Sequence, residues 1–338
     1  MANQEPPEPS RLVDKLAAAL EHSDAAAARE ALLAVLAPAG AAGRLRALDG
    51  AGLLTRLIPE LEPARHTDQP LVHFLPVLAH SVETVAALEW LLVQIEQSGQ
   101  ATDARQPLAE RPAAIQAHPE LGYHSAYMAE LREHFAGRVG RYPRAALYKL
   151  AALLHDIAKP QTKQPKPDGG VSFHEHQTIG GEVALGVARR LGFGPEEARY
   201  IRTVVREHMR PGQLAAQGEV TLRAVNRFFQ AAGGAGPDVL IFLLADHMAT
   251  RGPQIDVLAW IWQARWIDAL LDTIWGEPEP IAPPLLNGDE LMRELGIAPG
   301  PLVGRLLAAV GEAQADQRIA TRDEAIALAR RMLERLDR

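Results

Sequence analysis

The feature that most limits the folds open to this chain is the near-absence of period-two patterning. Valine and isoleucine rarely alternate with polar residues, and aromatic residues are 5% of the total, so half-buried strands have little to build on. Apolar residues recur instead at helical spacing, as at Leu12, Leu16 and Leu20, and the chain reads as all-α. The pattern predicts a disordered acidic and proline-rich tail over 1–10, a helix over 10–36 and a short helical pair over 44–61. A long apolar helix is expected over 70–95, carrying His80 and bent early by Pro76. A proline- and glycine-bearing stretch, 97–119, reads as an exposed, mobile excursion. Further helices are expected over 124–139, 143–158, 196–209, 221–229, 237–250 and 254–275, with another starting near His176. The run 277–284 reads as a linker, giving an N-terminal helical segment (11–69), a main helical domain (70–276) and a helical C-terminal extension (285–338).

Charge and composition narrow the chemistry. Lys and Arg total 35 against 42 Asp and Glu, a net charge of −7, which provides no broad field for gripping a nucleic acid backbone. With no cysteine in the chain, disulfides, thiolate metal sites and cysteine nucleophiles are excluded, and any metal must be held by His, Asp and Glu. No export signal is visible at the N-terminus, and the most apolar run, 239–245, is far short of the roughly 20 residues that span a bilayer. The expectation is a cytoplasmic protein without membrane association.

All twelve histidines fall between His22 and His247, so metal chemistry belongs to the main body. The most informative segment is LAALLHDIAKP, which sets His155 and Asp156 side by side at the end of an apolar helix. Burying that pair without partners is costly. Neighbours on a helix point about 100° apart, so an imidazole and a carboxylate can flank one ion while the second carboxylate oxygen reaches another. Two ions about 3.5–4 Å apart activate water and neutralise charge growing on a phosphoryl group. Lys159 and Thr162 follow directly, where an ammonium and a hydroxyl could contact a substrate phosphate, and three of the five lysines lie in this loop. Arg210 and Arg251, beside His208 and Asp246, are further candidates for substrate binding. His73, His124, His134 and His247 stay outside this set.

The order His80 (LAHSVETV), His155–Asp156 (LLHDIAKP), His176 (FHEHQTIGG), His208 (REHMRP) and Asp246 (LLADHMA) resembles the HD superfamily of metal-dependent phosphohydrolases. The segments LDGAGLLTRLIPEL, VHFLPVLAHSVETV, KLAALLHDIAKPQT and PLLNGDELMRELGIAPGPLVGRLL look like the C-terminal half of bacterial CCA-adding enzymes and poly(A) polymerases that carry an HD domain, from about Arg44 onward. The resemblance implies a multi-helix HD bundle. It implies one or two divalent ions (Mn, Mg, Fe, Co, Ni or Zn), the first held by His80, His155, Asp156 and Asp246, and a second, to which Asp156 would bridge, by His176 and His208. Ala158 replaces the usual glycine of that motif, and His174 competes with His176 for the ligand position. The Gly–Ser and D-x-D motifs of the family's polymerase head are absent from these residues, so a free-standing HD body is expected.

Two functions follow as expectations. The first is a phosphohydrolase with Asp156 and Lys159 at its catalytic centre, acting on nucleotide or RNA-end phosphates such as 2′,3′-cyclic nucleotides. The second is a non-catalytic module that binds RNA or a separate nucleotidyltransferase, related to the part of CCA-adding enzymes that supports the tRNA body. Oligomer formation through the tryptophan-bearing helix 254–275 stays open.

Overall fold

A computed structural model of the protein describes residues 9–99, 111–167, 169–216, 220–276, 285–315 and 318–336. Residues 1–8 of the tail expected over 1–10, residues 100–110 of the excursion expected over 97–119, and the linker expected over 277–284 lie outside these, while residues 9 and 10 open the first helix. The described chain is helical apart from two small antiparallel ribbons, as the patterning predicts. It divides into two compact units, one of residues 1–213 with 231–275 and one of 214–230 with 276–338.

In the first unit, helices α1 (Pro9–Glu21) and α2 (Ala25–Leu36) replace the single helix expected over 10–36. The break is local chemistry: Ser23 adopts a positive φ of 53°, and the Asp24 side chain accepts from the N–H groups of Ala26 and Ala27, starting a new helix. Helices α3 (Ala41–Gly50) and α4 (Leu53–Leu57) and a 3-10 segment, Pro59–His66, lead to α5 (Val77–Glu96). The last starts seven residues later than expected because Pro76, with no N–H and a restricted predecessor, serves as its N-cap rather than as a bend within it. The expected excursion over 97–119 contains a short helix, α6 (Ala113–Ala117), with Ala114 and Ile115 buried. Its first N–H, from Ala113, donates to the buried Glu83 of α5 at 2.6 Å, so this part is tied down.

Helix α7 (Met128–Ala136) is followed by the ribbon β1 (Arg138–Val139) and β2 (Tyr142–Pro143), then α8 (Arg144–Leu154) and the single turn α9 (Lys159–Thr162). A second ribbon, β3 (Lys163–Pro165) with β4 (Val171–Phe173), pairs Lys163 with Phe173 and occupies what the sequence presents as a plain loop. Helices α10 (His176–Arg190), α11 (Pro195–Glu207) and α12 (Arg210–Ala216) follow, then α13 (Leu222–Ala232), α14 (Gly236–Arg251) and α15 (Val257–Trp275). Helix α5 packs on both α8 and α14, and α8 is buried from Ala146 to Leu154. The stretches Val77–Glu96 and Leu222–Gln254 are long and apolar enough to cross a membrane by composition, but 78% and 67% of their most apolar 18-residue windows are buried in the protein, as in core helices. Of the tryptophans on α15, Trp260 is buried whereas Trp262 is exposed and stacks on Trp266.

The second unit contains most of α13 together with α16 (Gly288–Leu295), α17 (Pro301–Ala315) and α18 (Arg322–Leu336). Asn287 and Glu290 form a reciprocal capping box at the start of α16. Leu291, Leu306, Val310, Ala325 and Ala329 make its core.

One buried ion pair ties the scaffold of the first unit together. Lys149 of α8 lies 2.8 Å from Glu89 of α5, with both side chains at most 6% exposed, and Glu89 also accepts from the N–H groups of Ala41 and Ala42 at the start of α3. Removing the carboxylate strands a buried ammonium and two helix-terminal donors. Glu89→Ala is therefore expected to cost about 3–5 kcal/mol, read as a drop in thermal midpoint on the order of 10 °C by calorimetry; an unchanged midpoint would contradict this role.

Candidate metal centre

The centre is assembled from helix ends. His155 caps the C-terminus of α8 and His208 that of α11, while His176 opens α10. Each uses the same local device: Nδ1 sits 2.8 Å from Ala152 O in His155, 2.7 Å from Phe173 O in His176 and 2.6 Å from Val205 O in His208, always three residues back. An N–H donated there satisfies a carbonyl that the helix end or turn leaves open, and turns Nε2 of each ring toward the cluster. A close crossing brings the helices together. At Gly181 of α10 a Cβ would stand 3.1 Å from Arg206 Cβ and 3.3 Å from Arg202 O of α11, so only glycine permits this approach without a shift.

These nitrogens converge on one carboxylate. Asp156, 2% exposed, has Oδ2 3.0 Å from His155 Nε2 and 3.6 Å from His80 Nε2, and Oδ1 3.4 Å from His176 Nε2 and 4.0 Å from His208 Nε2. His80, fully buried on α5, also stands 3.0 Å from Asp246 Oδ1 of α14 and 3.3 Å from His155 Nε2. The ligand atoms of His80, His155 and Asp156 lie within 4.8 Å of one another, as do those of Asp156, His176 and His208. Asp156 is common to both groups. All six residues whose ligand role the family resemblance implies are thus brought to one place. His176 faces Asp156, whereas His174 is exposed.

The electrostatics of this cluster favour a cation. Burial alone raises the pKa of Asp156, but the facing His155 and Lys159 override it and hold the carboxyl well below the usual range. Burial opposes protonation of His155, yet Asp156 raises its pKa above the ordinary value. Burial, reinforced by His155, pushes His208 down to about 3, and burial also lowers His176, leaving both neutral and able to ligate. Asp156 Oδ1, His176 Nε2 and His80 Nδ1 have no hydrogen-bond partner, while Asp156 Oδ2 faces the Lys159 ammonium. Buried orphan atoms of this kind are costly. Nitrogen and oxygen lone pairs converging on one point fit a divalent ion, and the donor set suits first-row metals or Mg²⁺ without selecting one.

A cavity of about 430 Å³ opens beside the cluster, with Asp156, His176, His208 and Asp246 in its wall. Lys159 and Arg251 also line it. Lys159 Nζ lies 2.6 Å from Asp156 Oδ2 and 5.4 Å from the centre of the Phe173 ring. Two candidates are not brought there. The Thr162 hydroxyl turns back to donate to Ala158 O at 2.9 Å, because one helical turn aims it at its own backbone. Arg210 lines a separate cavity of about 130 Å³ with Arg206 and Glu207. A third cavity, of about 420 Å³ and lined by Gln94, Tyr123 and Arg132, contains none of the candidate residues.

Sequence reasoning missed His73, Gln69, Phe173 and His247. His73 lines the cavity edge-on to His80, 5.4 Å between ring centres, and burial with the nearby Lys159 and His80 pushes its pKa down to about 4. His247 lines it too. Leu243, Asp246, His247, Thr250 and Arg251 all line the cavity from α14, at helical spacings of three and four. That spacing was the available signal for His247.

Residues 121–256 match the model of the HD domain family. The chain carries an HD domain. The HD span contains five of the six clustered residues, with His80 contributed from outside it. Over 308 residues, 90% of this chain, it is 30% identical to the A-adding tRNA nucleotidyltransferase of Deinococcus radiodurans, covering 58% of that protein. It is 31% identical over 299 residues to the CC-adding tRNA nucleotidyltransferase of Thermus thermophilus, 88% of this chain and 54% of that protein. A match of 30% over 234 residues links it to the bifunctional uridylyltransferase/uridylyl-removing enzyme of Mycobacterium tuberculosis, 66% of this chain and 26% of that protein. The chain is homologous to the tRNA nucleotidyltransferases over most of its own length, while spanning little more than half of theirs.

Metal analysis by inductively coupled plasma mass spectrometry tests the cluster directly. The wild-type chain is expected to hold two divalent ions, His176→Ala to keep one, and Asp156→Asn to lose both. Two ions retained by Asp156→Asn would remove that residue from the bridging position.

Proposed function

We propose that this HD domain is a divalent-metal-dependent phosphohydrolase, acting on nucleotide or RNA-end phosphates such as 2′,3′-cyclic nucleotides. The observation that carries the reading is that two donor sets share Asp156, which together with His176 and His208 lines a cavity large enough for a small molecule. His80, His155, Asp156 and Asp246 would hold one ion, and Asp156, His176 and His208 a second. Divalent ions held there supply Lewis-acid polarisation of phosphoryl oxygens and acidify water.

The chain's own residues supply the rest. The Lys159 ammonium donates hydrogen bonds to a phosphate oxygen at the cluster. Arg251 offers a second cation on the cavity wall, and Phe173 an apolar side against which a sugar or base can lie. The apolar packing of α8 and α14 behind the cluster lowers the local dielectric and strengthens each of these charges. One relative is named for removing as well as adding a uridylyl group. Removal of a nucleotidyl group breaks a bond to phosphorus, the reaction class proposed here.

A second reading is favoured by a different observation. The two relatives matched over about nine-tenths of this chain are named for adding nucleotides to tRNA, so the helical body would serve as a module that binds RNA or a nucleotidyltransferase. The net charge of −7 weighs against strong RNA affinity.

The experiment incubates the wild-type chain and Asp156→Asn with 2′,3′-cyclic AMP, 2′-AMP and bis-p-nitrophenyl phosphate in Mn²⁺, Ni²⁺, Co²⁺ or Mg²⁺. Turnover in the wild type is expected to fall at least about 100-fold in the variant, as for loss of a charge-stabilising group. No turnover with any metal would abandon the hydrolase in favour of the binding module, whose affinity for RNA should then fall steeply with salt.

A further inference from the structure

The Lys159 ammonium has two acceptors at equal distance, Asp156 Oδ2 and Gln69 Oε1, each 2.6 Å away. Gln69 comes from the connection between the 3-10 segment and α5, and its amide is fixed at both ends. Its oxygen accepts from Lys159, and its Nε2 donates to Leu75 O at 3.1 Å across the same loop. That loop also brings Pro70 and His73 to the cavity wall. Beyond them Phe74 packs over Gly252, where a Cβ would overlap its ring. The loop is thus anchored on either side of the cavity, by Gln69 at Lys159 and by Phe74 beside Arg251.

We infer that Gln69 is a positioning residue, which keeps the Lys159 ammonium turned into the cavity as an uncancelled positive charge for an anionic substrate group. The inference rests on the hydrolase reading. If both oxygens of Asp156 face divalent cations, an ammonium beside the same oxygen is repelled, and Gln69 Oε1, 2.6 Å from Lys159 Nζ, is the acceptor that still holds it. A neutral amide holds the ammonium and leaves its charge available. A carboxylate in the same place would pair with it and cancel that charge. An apolar side chain would free the flexible four-carbon stem of the lysine.

The test uses the full chain loaded with Mn²⁺, with inorganic phosphate as the probe in calorimetry, alongside kcat and KM for the ester that the wild type turns over fastest. Gln69→Leu is expected to weaken phosphate binding and raise KM about tenfold, the scale of one hydrogen bond to a charged group, with kcat and Mn²⁺ content little changed. Gln69→Glu, of the same size, should weaken phosphate binding at least as much although it grips the lysine more firmly. A merely structural role would lower the thermal midpoint and leave phosphate affinity alone. Wild-type phosphate affinity and KM in either variant would overturn the inference by itself. A wild-type protein that neither binds phosphate nor turns over any ester would overturn the hydrolase reading and this inference together.

Discussion

The first unit is organised around a buried carboxylate approached by imidazole nitrogens from four helices. Asp156 has imidazole nitrogens of His155, His80, His176 and His208 between 3.0 and 4.0 Å away. Their lone pairs crowd the carboxylate oxygens across this gap, and a cation placed among them relieves the repulsion. The chain supplies one cation itself, Lys159, and the raised pKa of His155 is a second response to the same field. A buried charge cluster contributes little to stability by itself. It persists because the surrounding helices are held by other interactions, and its geometry is what those helices are arranged to deliver.

Helix α14 shows how the arrangement is held. Eight residues before Asp246, near the opposite end of the helix, Asp238 is fully buried and accepts from Tyr200 at 2.5 Å, while Arg144 and His134 approach its other oxygen at 2.8 and 2.6 Å. Tyr148 of α8 donates to its backbone carbonyl at 2.5 Å. With 1.5 Å rise per residue the two aspartates stand about 12 Å apart along the axis. One end of α14 is therefore pinned to α7, α8 and α11 by satisfied hydrogen bonds. The other presents a carboxylate to His80. Since α8 and α11 also carry His155 and His208 at their ends, the same network fixes the separation of three ligand-bearing elements.

Much of this was legible in the residues, and the reasons for the misses are physical. Long apolar helices such as α5, α8 and α14 announce themselves because burial imposes a period. The division between α1 and α2 turned on Ser23 and the Asp24 cap, where a short-range hydrogen bond outweighs propensity. The HD pair stood out because charge inside an apolar helix needs a partner. Adjacency misled at Thr162 and Arg210, since neighbours of a motif in sequence point wherever the local turn sends them. Gln69 and His73 lie in a loop without periodicity, so nothing in the one-dimensional pattern could connect them to Lys159 or His80.

The two carboxylates of the cluster also differ in a way that bears on what the site is for. Both line the cavity, but the Asp156 side chain is 2% exposed, whereas the Asp246 side chain, held by the same His80, is 25% exposed. A structural metal site closes its donors on every side, and a catalytic one keeps an open position toward solvent. Here the closed side is formed by α5, α8 and their packing, and the open side by α14, β4 and the loop that carries Gln69. Lys159 stands at the boundary between them, beside Asp156, Gln69 and Phe173. That asymmetry favours a ligand arriving from the cavity over an ion sealed within the fold.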